Sequence, residues 1–246
     1  MAALATEIGV EPLSPVLGAR ITGVDLRQEL DQPTISAIRE AFVRYSVLCF
    51  PGQEISEEDH ARFCAMFGKA DSANIAKEEK GKGQMRARGI MFITNIRENG
   101  KAIGALPDGE MQFHSDGSHR EVPYRATTLF AVKVPSRGGE TKFANLYKAY
   151  ETLPEATKAK IDGLKSQYVY DIDAVYREET EENNELLSRA AHPLVRTHPE
   201  SGKKALYLSR LMSRFIVGMD RAESDALLDE LFDHAEKPEF IYAHSW

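Results

Sequence analysis

The sequence predicts a mixed α/β fold that is mainly β, built as a single domain over residues 1–246. Short apolar or alternating runs closed by turn residues indicate strands, as in Ser46–Phe50, which is followed by Pro51 and Gly52. Other segments carry apolar residues at helical spacing, as in Thr34–Tyr45. A chain of this length can bury a sizeable core, and no repeat, low-complexity tract or linker divides it.

Composition argues against several classes of protein. Hydrophobic residues make up 42% of the chain and charged residues 28%, which is typical of a soluble globular protein. No apolar run is long enough to span a membrane, and the N-terminus lacks the charged and apolar regions of a signal peptide. The net charge of −7 argues against a general nucleic-acid binder.

Cysteine usage indicates the compartment. Cys49 and Cys64 lie in apolar stretches and do not form a disulfide framework or a four-cysteine zinc site. Buried free thiols suit a reducing cytosol. We therefore expect a cytoplasmic protein with no membrane or nucleic-acid partner, and we leave open whether it forms a homo-oligomer.

The remaining elements follow from apolar periodicity and turn residues. Predicted strands are Glu7–Leu13, Ala19–Asp25, Gly89–Ile96, Thr127–Val134, Lys165–Ile172, His192–His198, Lys204–Ser209 and Phe240–Trp246. Predicted helices are the segment after Ser56, Ala144–Gly163 with an interruption at Pro154, and Asp220–Ala235. Ser56 would cap its helix, and Asp59 would complete a near capping box.

Two polar segments are predicted to be exposed. Asn74–Gly109 is irregular and rich in Lys and Arg. It would be either a solvated loop or a mobile lid that draws an anionic substrate into a site. Tyr176–Arg189 is acidic and is expected to be an exposed insertion.

A candidate metal site lies in the stretch Met111–Thr141. Its first residues alternate, so that His114 and Asp116 would point to the same face of a strand. An imidazole and a carboxylate on one face can bind a single metal ion, and a third ligand would complete the two-His-one-carboxylate triad of non-haem Fe(II) oxygenases. Taken alone the H-x-D pattern is weak, and a polar strand end is the alternative interpretation.

A longer pattern follows this pair. Pro123 and the apolar run are followed by P-S-R-G-G-E-T at Pro135–Thr141. Further patterns are Leu17–Ala19 with Gly23–Leu26, Val47–Gln53, Phe67 with Gly68, Ala149–Pro154, His192–His198 and Lys237–Trp246. Together they resemble the TauD/TfdA family of Fe(II)- and 2-oxoglutarate-dependent dioxygenases, which carries H-[ST]-D, an apolar strand and then P-x-x-G-G-[DE]-T. The resemblance covers nearly the whole chain.

The resemblance implies a fold and a set of ligands. The fold would be a double-stranded β-helix, or jelly roll, with flanking helices. His114 and Asp116 would bind Fe(II), and Thr141 would donate its hydroxyl to a carboxylate of 2-oxoglutarate. In the family, the residue matching Trp246 is followed by a His that is the third metal ligand and by an Arg that binds the far carboxylate. We therefore expect a C-terminally truncated form of this fold, with the third ligand beyond Trp246.

The implied reaction consumes O2 and 2-oxoglutarate, forms succinate and CO2, and hydroxylates the substrate. Family members of this kind act on small anions such as sulfonates or aryloxy-carboxylates. In taurine-oxidising members a His and a Tyr contact the sulfonate, and their places fall on Ala73 and Ala76, which weakens the case for taurine. By alignment, the substrate pocket would be lined by His119, Val175 and Met212.

Two other functions stay open from the sequence. A pseudoenzyme or binding protein of the same fold would lack the distal His and the Arg that binds 2-oxoglutarate. Another metal enzyme, such as a zinc hydrolase, could use the H-x-D pair, although the sequence identifies no base that would activate water.

Overall fold

The chain forms helices and short strands in a computed structural model that describes residues 8–69, 85–86, 90–91, 93–102, 111–170 and 188–246. The helices are α1 (Gln32–Tyr45), α2 (Glu57–Ala65), α3 (Leu146–Glu151), α4 (Glu155–Ile161) and α5 (Arg221–Ala235), with a 3-10 turn at Pro238–Phe240. The strands before residue 103 are β1 (Gly9–Pro12), β2 (Ala19–Thr22), β3 (Leu48–Cys49), β4 (Met85–Arg86), β5 (Ile90–Met91), β6 (Arg97–Glu98) and β7 (Lys101–Ala102). Later strands are β8 (Thr141–Ala144), β9 (Lys165–Val169), β10 (Arg189–Pro193), β11 (Val195–Thr197), β12 (Lys204–Leu206), β13 (Ser213–Ile216) and β14 (Ile241–His244).

The N-terminal part is a three-stranded sheet, β1–β2–β3, with α1 and α2 beside it. β2 runs antiparallel to β1 but parallel to β3, because α1 carries the chain across between β2 and β3. Asp31 caps α1 by accepting a hydrogen bond from the Thr34 N–H at 2.9 Å. The apolar faces of the helices close over a small core of Leu26, Ile38, Phe63 and Phe67.

The larger core lies in the C-terminal half. β9 is the central strand of a second sheet and pairs antiparallel with β10 and β13. Helix α5 is fastened to β13, because the Ser224 hydroxyl accepts from the Ile216 N–H at 2.8 Å. The apolar residues packed here include Leu194, Leu206, Ile216, Leu227, Leu228, Leu231 and Phe232.

The last strand returns to the middle of the chain. β14 pairs antiparallel with β8, and His244 lies opposite Thr141. Asn145 follows β8 and caps α3 by accepting from the Lys148 N–H at 3.1 Å, while its amide donates to the Val16 carbonyl at 2.7 Å. This junction joins the N-terminal loop, α3 and the end of the chain.

Much of this architecture was predictable. The mixed α/β class is confirmed, as are the interruption at Pro154 and the hairpin of β11 with β12. The capping box is confirmed with both reciprocal bonds between Ser56 and Asp59. The strand pairings of the described residues do not form a jelly roll as such.

Two predicted strands are wrong. Within the described part of the chain, no strand runs through residues 111–140, which include the H-x-D pair and Thr127–Val134. Alternation and apolar content give a side-chain pattern, but a strand also needs a hydrogen-bonded partner. Beside the H-x-D pair, the Phe113 carbonyl accepts a hydrogen bond from the Leu211 N–H at 3.3 Å, but no strand forms. In the apolar run, the Val132 side chain is 79% exposed and is not packed in a sheet.

The predicted strand His192–His198 is divided into β10 and β11. Leu194 separates them and is completely buried. Its N–H donates to the Leu164 carbonyl at 2.9 Å, and its carbonyl accepts from the Tyr207 N–H at 2.7 Å. Pro193 has no N–H to continue the ladder of β10, so the chain changes partners here.

Other predictions fall largely outside the described residues. Of the proposed lid Asn74–Gly109, the structure describes 85–86, 90–91 and 93–102, and of the acidic segment Tyr176–Arg189 only 188–189. In the ranges that are described, no helix has the length and apolar content needed to cross a membrane.

The start of α2 generates a prediction about acid stability. Hydrogen bonds from Ser56, together with Arg62, hold the pKa of Asp59 at about 2, below the ordinary 3.8. The stability from this carboxylate is therefore present above the unfolded-state pKa and is lost as the pH falls through about 2. We expect Asp59→Asn to be less stable than the wild type at neutral pH, with a difference that shrinks on acidification. Urea unfolding across the acid range measures this.

Glu40→Gln is the matched control for that experiment. Glu40 is an exposed residue of α1, so its replacement removes the same charge without touching the capping box. A pH-dependent loss of equal size in Glu40→Gln would show that overall charge, and not the Asp59 contacts, is responsible.

Candidate active site

The His114 and Asp116 side chains meet, although no strand carries them. His114 Nε2 lies 3.2 Å from Asp116 Oδ1. A turn over residues 116–119 follows, in which Gly117 has a φ of +69°. A Cβ on Gly117 would lie 2.8 Å from the Tyr124 ring, so both the backbone and the close approach require glycine. The turn, and not strand parity, places the carboxylate beside the imidazole.

The backbone determines which ring nitrogen of His114 faces Asp116. The Nδ1 atom lies 2.9 Å from the Gln112 carbonyl, which can only accept, so Nδ1 carries a hydrogen. This leaves Nε2 directed at the carboxylate. A carbonyl that fixes one ring nitrogen while the other faces a cation is the usual arrangement of a metal-binding histidine.

The charges of the pair reinforce each other. The hydrogen bond to Asp116 raises the pKa of His114 above 6.5, against the opposing effect of burial. The same bond, helped by the Thr127 side chain, lowers the pKa of Asp116 below 3.8. Asp116 is therefore a carboxylate that favours positive charge next to it, whether a proton on His114 or a metal ion.

The geometry suits two ligands of one metal ion. First-row metals bind imidazole nitrogen and carboxylate oxygen at about 2.1 Å, so two ligand atoms at right angles are about 3.0 Å apart. The observed 3.2 Å between Nε2 and Oδ1 is close to this separation. Within the described ranges, no group of three or more His, Cys, Asp or Glu side chains could hold a metal. A metal ion bound by His114 and Asp116 would therefore need a further ligand.

Two predicted substrate-pocket residues lie near this pair. The Ser118 hydroxyl donates to Met212 Sδ at 3.1 Å, which brings Met212 against the turn that carries Asp116 and His119. His119 is buried and packs on the Tyr170 ring with centroids 4.7 Å apart. Burial, followed by the charge of Arg120, lowers the pKa of His119 to about 4. Its ring is therefore uncharged at neutral pH and suits a pocket wall better than an anion-binding role.

Val175, the third predicted pocket residue, lies outside the described residues. The other histidines have structural contacts. His192 is buried with Nε2 2.8 Å from the Arg120 carbonyl, and His198 Nδ1 accepts from the Ser201 N–H at 3.2 Å. His60 is half-buried, with Nε2 2.8 Å from the Thr128 hydroxyl.

Thr141 opens β8, shortly after Gly138 and Gly139. Both glycines have positive φ, +73° and +76°, and a Cβ on Gly139 would lie 2.9 Å from Pro135 Cγ. Both backbone conformations therefore favour glycine. The Thr141 hydroxyl accepts from the Trp246 indole N–H at 2.9 Å. This contact is with a residue just after β14 rather than with His114 or Asp116.

Sequence reasoning missed three supporting groups: the Gln112 carbonyl, the Thr127 hydroxyl and the Trp246 indole. Gln112 contributes its backbone carbonyl, which any residue would supply, so the sequence could not identify it. Thr127 was assigned to an apolar strand, but as a polar residue at the start of that run it could have been recognised as a hydrogen-bonding group. The approach of Trp246 to Thr141 depends on the pairing of β14 with β8, which no local pattern specifies.

The chain is similar in sequence to known proteins. The sequence profile of the family described as "Taurine catabolism dioxygenase TauD, TfdA family" matches residues 9–246. The alpha-ketoglutarate-dependent 2,4-dichlorophenoxyacetate dioxygenase of Cupriavidus pinatubonensis is 30% identical, over 96% of this chain and 84% of that protein. The alpha-ketoglutarate-dependent sulfate ester dioxygenase of Pseudomonas putida is 30% identical, over 100% of this chain and 82% of that protein.

A solved structure agrees with the sequence matches. The crystal structure of AAD-2 in complex with Mn(II) and N-oxalylglycine superposes with a TM-score of 0.72 at 27% identity. The match covers 98% of this chain and 84% of that one. The mixed α/β architecture described above is therefore shared with a protein that has been crystallised with a divalent metal.

Proposed function

We propose that the protein hydroxylates a small anionic organic substrate, since the chain belongs to the TauD/TfdA family and is a 2-oxoglutarate-dependent dioxygenase of that type. The substrate would be of the sulfonate or aryloxy-carboxylate class, and 2-oxoglutarate would be converted to succinate and CO2. The family predicted from the motifs is confirmed. The observation that carries the proposal for this chain is the 3.2 Å contact of His114 Nε2 with Asp116 Oδ1.

His114 and Asp116 would supply two of the ligands of Fe(II). The third would be the histidine that the family resemblance places beyond Trp246, and the scaffold would be the double-stranded β-helix of the family. Bound Fe(II) supplies the redox chemistry by which O2 and 2-oxoglutarate are used. A water-activating zinc hydrolase, the alternative left open by the H-x-D pair, is not supported by the family membership.

The protein's own residues prepare the site before any ion binds. The Gln112 carbonyl keeps the hydrogen of His114 on Nδ1, so Nε2 is available to a metal. Thr127 hydrogen-bonds to the Asp116 carboxylate and so helps to orient it. Met212 and the uncharged His119 would line the substrate pocket, with Val175 as a third wall residue.

The names of two relatives support the proposal of an anionic substrate. One acts on 2,4-dichlorophenoxyacetate and the other on sulfate esters, and both substrates pair an organic group with a negative charge. For this chain, the lowered pKa of His119 indicates an uncharged wall, which suits the organic part of such a substrate. We therefore propose that the organic part of the substrate lies in an apolar pocket beside the turn at 116–119, and that a separate group binds the anion.

A first prediction tests the metal ligands. We expect His114→Ala to abolish the charge-transfer absorption that forms when Fe(II) and 2-oxoglutarate are added without oxygen, and to remove most turnover, because a direct ligand is lost. His198→Ala is the matched control, since that ring lies in the turn between β11 and β12. Unchanged absorption in His114→Ala would refute the assignment. Absence of the absorption in the wild type as well would favour a binding protein over an enzyme.

A second prediction concerns the cosubstrate. Thr141→Val keeps the shape and β-branching of the side chain but removes the hydroxyl. A hydrogen bond to a charged acceptor is worth roughly 1.5–3 kcal/mol, so we expect about a tenfold to hundredfold rise in the KM for 2-oxoglutarate. Steady-state kinetics measure this, and thermal unfolding should show little loss of stability. A KM equal to that of the wild type would remove Thr141 from the cosubstrate site.

A third prediction tests the substrate class. Aryloxyacetates, alkyl sulfates and alkylsulfonates are compared with their uncharged methyl esters or alcohols, with succinate formation as the readout. We expect the anions to stimulate succinate formation well above the rate without substrate, and the uncharged analogues to do so weakly. Taurine should be a poor substrate. Equal stimulation by charged and uncharged members of a pair would exclude an anion-selective pocket.

A further inference from the structure

Trp246 makes a directed contact with the proposed cosubstrate residue. Its indole Nε1 lies 2.9 Å from Thr141 Oγ1. An indole N–H can only donate, so the threonine oxygen must accept in this bond. The hydroxyl hydrogen of Thr141 is then free to point at a second acceptor. The contact turns a freely rotating hydroxyl into a donor with a preferred direction.

The indole is itself held by its neighbours on β14. Its ring meets the His244 ring edge to face, with centroids 4.9 Å apart and planes at 84°. His244 is held in turn by a 2.9 Å hydrogen bond between its Nδ1 and the Tyr242 hydroxyl. Burial lowers the pKa of His244, which favours the uncharged ring. His244 lies opposite Thr141 in the β8–β14 ladder, so the strand pairing brings the indole to the hydroxyl.

We propose that Trp246 is a positioning residue for cosubstrate binding, whose N–H orients the Thr141 hydroxyl toward a carboxylate of 2-oxoglutarate. This inference rests on the proposed function, because it needs 2-oxoglutarate to bind beside Thr141. A hydroxyl that already accepts one hydrogen bond is also a stronger donor in the next, so the indole both aims and polarises the group. Trp246 does not itself touch the cosubstrate in this arrangement.

The test compares Trp246→Phe, Thr141→Val and the double variant. Phenylalanine keeps an aromatic ring against His244 but removes the N–H. The dissociation constant of 2-oxoglutarate is measured by calorimetry on the Mn(II)-loaded protein, so the readout does not depend on turnover. We expect Trp246→Phe to weaken 2-oxoglutarate binding about twofold to tenfold, the range of one neutral hydrogen bond, without changing Mn(II) affinity. Tyr147→Phe, an aromatic change beside Ser201 in another part of the molecule, is the control.

The double variant separates positioning from general structure. If the indole acts through the hydroxyl, Trp246→Phe has no further effect once Thr141 is valine. Unchanged 2-oxoglutarate affinity in Trp246→Phe, or an effect that simply adds to that of Thr141→Val, would overturn the inference while leaving the proposed function intact. A wild-type protein that binds no 2-oxoglutarate would overturn both.

Fluorescence provides a measurement that does not require the Trp246 variant to fold. Trp246 is the single tryptophan within residues 1–246, so no other tryptophan of this sequence contributes to the emission. We expect saturation of the wild type with 2-oxoglutarate to change the emission, and the change to be largely lost in Thr141→Val. Emission that is unaffected by saturating 2-oxoglutarate in the wild type would contradict the inference.

Discussion

The antiparallel pairing of β8 with β14 is the constraint on which the contact of Trp246 with Thr141, the proposed cosubstrate residue, depends. It joins segments about a hundred residues apart in the chain and sets His244 opposite Thr141. Closing so long a loop costs conformational entropy, which must be offset by burial elsewhere. The burial is found next to the ladder: Phe240, just before β14, is 4% exposed within the larger core, and its carbonyl accepts from the Asn145 N–H at 2.8 Å. The core therefore fixes the register in which Trp246 reaches Thr141.

The contact of His114 with Asp116, the proposed metal ligands, depends on a short turn instead. Strands position side chains through a ladder that spans many residues, whereas the turn at 116–119 needs only local bonds, such as that from the Ser118 N–H to the Ser115 carbonyl at 3.2 Å. Gly117 allows the turn, and Tyr124 packs in the space that its missing side chain leaves. The two site residues thus converge through backbone geometry close to them in sequence, while Met212 approaches from far along the chain.

The difference between local and long-range contacts explains how much of the structure the sequence could predict. Helix caps and breaks at Ser56 and Pro154 are encoded by residue type within a few positions, and they are found where the pattern places them. The contact of His114 with Asp116 was predicted for the wrong reason, since two residues of separation suit a strand face and a turn equally well. The lack of pairing along Thr127–Val134 and the change of partner at Leu194 depend on which segments meet in space. Local periodicity carries no information about those partners.

Two threonines of the proposed site follow the same physical principle. Thr127 hydrogen-bonds to Asp116, and Thr141 accepts from Trp246. A hydroxyl can donate one hydrogen bond and accept two, so a fixed partner on one side determines what it can offer on the other. At Asp116 the hydroxyl helps to keep the carboxylate ionised and oriented before a cation arrives. At Thr141 the indole leaves the hydroxyl able to donate to an anion. Uncharged side chains thus support both the ionised Asp116 and the proposed donor at Thr141, which avoids the desolvation cost of burying further ions.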